Sequence, residues 1–121
     1  MNPTMILTEQ HVHLDLDLDV EHQFHYRSRA RDGHRVVLHR GDAITFTCGD
    51  EFSIRFVGSS PFEEAVPGSH RLLLTFHVRS DAPYGAYRYV LELMKNGESF
   101  TDPGGGDAAR DNPQILIEPG A

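Results

Sequence analysis

Eight histidines stand among 121 residues, and two of them, His11 and His13, are two positions apart in the stretch HVHLDLDLDVEHQFHY, residues 11–26. On an extended strand, side chains at i and i+2 share a face with their backbones ~7 Å apart. That is near enough for two imidazoles to converge on one Zn²⁺ or Cu²⁺ ion. His25 has the same parity, so His11, His13 and His25 are the candidate metal ligands. Asp15, or a histidine from another strand such as His34, His39 or His77, would complete the set. Two imidazoles alone make only a weak, adventitious site, so the plainer reading is solvated histidines on a half-buried strand.

The same parity carries an acidic row: Asp15, Asp17, Asp19 and Glu21. It is not a calcium loop, because an EF-hand needs Gly at its sixth position and a bidentate Glu at its twelfth. Carboxylates spread along an extended strand do not wrap a cation. A row of like charge either protects an edge strand from aggregation or docks against a basic protein surface. These four residues are the candidate partner-binding strip. His22, of the opposite, apolar parity, is expected to be hydrogen-bonded and partly buried.

No nucleophile has a catalytic setting. Cys48 lies at an apolar position of its strand, where a cysteine acts as a small hydrophobe. Ser59-Ser60 lacks the strand-to-helix turn of a nucleophile elbow. Gly104-Gly105-Gly106 has no Lys and no following helix, and Asp102, Asp107 and Asp111 around it would repel phosphate. Tyr84, Tyr87, Tyr89 and the Pro61-Phe62 loop form an aromatic group. One of Tyr87 and Tyr89 is expected in the core, with its hydroxyl on a backbone partner.

The net charge is −7, with 11 Lys and Arg scattered along the chain. Nucleic-acid binding needs several cations on one face, so none is expected. The N-terminus lacks the basic and apolar regions of a signal peptide. No window is apolar enough for a transmembrane helix. A single cysteine permits no intrachain disulfide. These features point to a cytoplasmic protein of one domain, residues 1–121, with no membrane association.

The elements that would position these residues are strands. Residues 11–26 alternate without a break. One straight strand of that length would run about 50 Å, so a bend, a bulge or two strands in two sheets is expected. Residues 27–33 read as a turn ending in Asp32-Gly33, and residues 34–39 as a strand. After the tight Gly41-Asp42 step, residues 43–57 read as a hairpin turning at residues 49–51. Residues 58–69 form a loop, residues 70–79 a strand, and residues 80–85 a turn. A strand over 86–95 meets Asn96-Gly97, the strongest two-residue hairpin signal. Ser99–Thr101 is its return, residues 102–112 a loop and residues 114–118 the last strand. No stretch reads as a capped amphipathic helix. Short strands separated by regular turn signals predict an all-β, antiparallel Greek-key sandwich of about seven or eight strands.

Three segments resemble cupredoxin-like domains. LHRGDAITFTC resembles their Gly-Asp step into a β-branched and aromatic strand. YGAYRYVLEL resembles their penultimate strand, and PQILIEP their closing strand. The resemblance covers about half the chain and implies a cupredoxin-like fold; an immunoglobulin-like sandwich is the alternative. In copper-binding members a Cys, a His and often a Met follow the Tyr-x-Tyr strand, and a thiolate with two imidazoles sets the copper geometry. Here no Cys or His follows His77. The resemblance therefore implies the shape without the type-1 copper site, and no cofactor. The expected function is a small non-catalytic accessory module acting through contact with a protein partner or with itself, as a possible homodimer. The alternative is a histidine-rich Zn or Cu binder.

Overall fold

The computed structural model describes residues 10–28, 31–103 and 112–120, and all their regular structure is strand. The strands are β1 (His11–Leu18), β2 (Phe24–Ser28), β3 (Arg31–Asp32), β4 (Arg35–Leu38), β5 (Ala43–Phe56), β6 (Arg71–His77), β7 (Gly85–Lys95), β8 (Glu98–Asp102) and β9 (Gln114–Ile117). They form one sheet in the order β3-β2-β1-β5-β7-β9-β4, with β6 added to β5 and β8 to β7. The chain is all-β, as expected.

The sheet is mixed, which corrects the expectation of a wholly antiparallel one. β1 runs parallel to β5, with Val12 beside Ile44 and Leu16 beside Cys48. β4 runs parallel to β9, with Val36 beside Ile115. Turn residues betray only the pairing of strands adjacent in sequence. Both parallel pairs join strands far apart in the chain, so no local signal marks them.

The hairpin expected over residues 43–57 does not form. These residues make one strand of 14 residues. A three-residue hairpin loop commonly carries a residue in the left-handed region, and none of residues 49–51 has positive φ, unlike Gly41, Gly58, Gly85 and Gly97. Instead β5 bulges between Thr47 and Phe52, where its register with β6 shifts. On the side away from β6, the half before the bulge pairs with β1 and the half after it pairs with β7, with Phe52 opposite Leu93. A bulge bends a strand and increases its twist, so β5 carries the curl of the sheet.

The long alternation does break in two. β1 and β2 pair antiparallel, Leu18 opposite Phe24, in one sheet rather than two. Asn96-Gly97 makes the expected turn with both φ positive, at 54° and 79°, and Lys95 faces Glu98 across it.

The two ends of the strand path, β3 and β4, are consecutive in the chain, so the sheet curls into a half-barrel whose seam is Gly33-His34. Gly33 is buried there. A Cβ on it would stand 2.5 Å from Leu14 Cδ1 and 2.7 Å from the Tyr26 carbonyl carbon. The chain passes from β3 to β4 this close to Leu14 and Tyr26 only because this residue has no side chain.

Inside lie the apolar positions of every long strand: Leu14, Leu16, Phe46, Phe52, Ile54, Phe76, Leu91 and Ile115 among them. Phe46 meets Phe76 and Tyr89 edge-on at 6.1 and 6.0 Å. Phe62, from the loop after β5, stacks on Phe76 at 4.7 Å. The loop is thereby pinned to the core through one aromatic ring.

Candidate functional site

The outward face of β1 is where the sequence placed its chemistry, and the register shows what supports it. His13 stands beside Thr45 and Asp15 beside Thr47 on β5; Asp17 stands opposite His25 on β2. The His11 and His13 rings stack, centroids 4.5 Å apart and 15° from parallel. His11 Nε2 is hydrogen-bonded to Thr45 Oγ1 at 2.6 Å, and Thr45 to Thr75 of β6 at 2.9 Å. Thr47 Oγ1 donates to Asp15. Arg27 reaches Asp17 at 3.5 Å. The strip is held in place by hydroxyls and one guanidinium across three neighbouring strands.

His25 does not join the other two histidines. It faces Asp17, three residues beyond the Leu14–Ser28 pair that ends the β1–β2 ladder nearest His13. Its Nε2 is bonded to Asp19 at 2.8 Å. Among the described residues, no three of His, Cys, Asp and Glu gather closely enough to hold a metal ion.

The acidic row divides by role. Asp15 and Asp17 lie on β1, while Asp19 and Glu21 belong to the turn before β2. The Asp19 carboxylate accepts hydrogen bonds from the Glu21 and Gln23 backbone amides at 2.8 and 3.0 Å as well as from His25. The His25 bond, then the Gln23 amide, hold its carboxyl down at about 2. Asp19 is thus a turn former whose side chain bonds the backbone that follows it. His22 is corrected. It is exposed at the tip of that turn with φ 64°, its ring 4.7 Å from that of Phe100.

The tyrosines also part company. Tyr87 is half-buried and donates its hydroxyl to the Pro83 carbonyl at 2.5 Å. Tyr89 is the buried one, yet its hydroxyl has no hydrogen-bond partner among the described residues. Burial, reinforced by the nearby Asp102 charge, pushes its ionisation far up. The expectation of a buried tyrosine bonded to the backbone is therefore met by neither residue alone. Tyr89→Phe is expected to raise stability by up to about 1 kcal/mol, because an unpaired buried hydroxyl is a standing cost. Chemical denaturation checks it. A loss of stability instead would mean that the hydroxyl is bonded in the folded protein.

Asp102, assigned to a loop from the sequence, ends β8 and is buried, accepting the Tyr26 hydroxyl at 2.6 Å. The rest of that loop, residues 104–111, lies outside the described residues. Cys48 is partly buried, and burial raises its thiol pKa. A thiol in that state is a poor nucleophile.

A second polar group escaped the sequence reading. Glu92 of β7 accepts hydrogen bonds from Ser99 Oγ at 2.6 Å and His70 Nε2 at 2.7 Å. These contacts, Ser99 first, lower its carboxyl below the usual range. Beside it opens a cleft of ≈ 520 Å³ lined by Ser53, Arg55, Val66, Val90 and Thr101 as well. No spacing in the sequence joins positions 70, 92 and 99; only the β7–β8 pairing and the entry to β6 bring them together. The order is hydroxyl–carboxylate–imidazole. Serine activation needs the imidazole between the other two, so this arrangement orders a surface rather than making a nucleophile.

Among the described residues no helix is long and apolar enough to cross a membrane. No protein-family model matches the chain, and no curated protein matches it either.

Proposed function

We propose that this chain is a small non-catalytic binding module that acts through protein–protein contact, with the outer face of β1 as its docking strip. One observation carries the reading. His11, His13, Asp15 and Asp17 stand in line on an open sheet face, and three of them are tied to neighbouring strands by side-chain bonds. A strip ordered before contact loses less side-chain entropy when a partner arrives. Its two carboxylates select a partner with a basic surface. The finer fold reading is a Greek-key, cupredoxin-like sandwich without type-1 copper ligands. It is supported by the three resembling segments leading into or forming β5, β7 and β9, which are neighbours in the sheet.

The test spares Asp19, which holds the turn. Asp15→Asn with Asp17→Asn should abolish capture of partners from the native host by the untagged protein, read by mass spectrometry, and wild-type capture should weaken as salt rises. Identical partner lists for wild type and variant would remove the strip from the function.

A further inference from the structure

Among the described residues β6 pairs with β5 alone, and its other edge meets no strand over most of its length. At one end that edge is occupied. The His77 carbonyl accepts from the Glu63 amide at 2.8 Å, and the His77 amide donates to the Glu64 carboxylate at 2.7 Å. His77 therefore points its backbone groups away from β5. In an antiparallel ladder this direction alternates along the strand, so Thr75, Leu73 and Arg71 also point their N–H and C=O groups outward. No strand meets them among the described residues. The side chains are as unguarded as the backbone: Leu72 and Leu73 are each 56% exposed. Proteins normally blunt such an edge with charge, Pro or cover.

We propose that a second copy of this chain covers it, by antiparallel pairing of β6 with β6 about a two-fold axis through Leu73. Three features of the strand fit itself. Outward-pointing residues pair as hydrogen-bonded neighbours, Leu73 with Leu73 and Arg71 with Thr75 of the other copy. On the inner face, exposed Leu72 falls opposite Leu74. At the ends the charges match. Arg71 has no ion partner among the described residues, and the pairing brings it diagonally beside the His77–Glu64 pair of the other copy. Diagonal neighbours lie ~7–8 Å apart, within reach of a long side chain. Only β5 separates this edge from the strip, with Thr47 between Leu73 and Asp15. Leu73→Lys leaves Asp15 and Asp17 in place, so the oligomeric state tests the dimer and partner capture tests the strip.

Sedimentation velocity over a concentration series should show a species of twice 13.6 kDa. Leu73→Lys, which sets two like charges face to face on the axis, should return it to the monomer with its melting transition intact. The register is tested by cysteines in a Cys48→Ser background. Leu73→Cys should oxidise to a covalent dimer, because a hydrogen-bonded pair holds Cα atoms ~5.5 Å apart, within the span of a disulfide. Thr75→Cys, opposite Arg71, should not. A monomer at every concentration overturns the proposal, and so does a dimer that Leu73→Lys leaves whole or that Thr75→Cys cross-links in place of Leu73→Cys.

Discussion

Replacing Asp42 with alanine is expected to cost about 3–5 kcal/mol of stability, through the hydrogen-bond donors it strands. Asp42 follows Gly41, which takes a φ of 88° to turn the chain from β4 into β5. Its carboxylate is buried and accepts three bonds: the Gln10 amide at 2.9 Å, the Gln10 side-chain amide at 2.9 Å and the His39 amide at 2.8 Å. Its backbone is committed as well, accepting from Val78 and donating to the His39 carbonyl. One side chain thus fixes the start of β1, the end of β4 and the start of β5, all three of which enter parallel pairs. Alanine leaves two backbone amides facing a space with no acceptor. Asparagine keeps one oxygen but turns an NH₂ toward a donor, so it should fall between wild type and alanine. Urea denaturation checks this: the midpoint should drop at unchanged slope. A loss below about 1 kcal/mol would mean that water reaches those amides.

Asp42 also marks what the sequence made legible and what it did not. The Gly-Asp step and Asn96-Gly97 could be read because a positive φ demands particular residues. The inward faces of β1, β6 and β7 could be read because burial imposes period 2. Periodicity failed where exposure broke the pattern. Val20 and His22 hold the apolar parity, yet Val20 is 93% exposed and both sit in a turn that Asp19 builds with its own side chain. The signal for that turn was an Asp two residues before the amide it binds, hidden inside the alternation. Long-range pairing left no trace at all. The contacts of His70 with Glu92 and of Asp102 with Tyr26 join positions 22 and 76 residues apart and depend on which strands lie near one another, which turn chemistry does not specify. The candidate strip was therefore half legible. Its face could be seen in the sequence; the loss of Asp19 and His25 to the turn could not.

The core places the second large effect at Phe46. Phe46→Ala is expected to lose about 3–5 kcal/mol, the transfer energy of the ring plus the cavity left behind. Three features put it at the upper end. Phe46 is fully buried on the strand that carries the curl, between Leu14 of β1 and Leu74 of β6. Its ring is the edge-on partner of both Phe76 and Tyr89, which come from opposite sides of the bulge: Phe76 pairs with the half of β5 before it, and Tyr89 with the half after. Collapse into the hole is also restrained, because Phe76 is held by the stack with Phe62 and Tyr89 by the Phe56 ring at 5.7 Å. Phe46→Leu refills part of the volume and should recover most of the loss. A calorimetric or denaturant comparison of the two separates packing from mere hydrophobicity. If alanine and leucine cost the same, ring geometry rather than filled space holds the two halves of the sheet together. If both cost under about 1 kcal/mol, the half-barrel does not close around this residue.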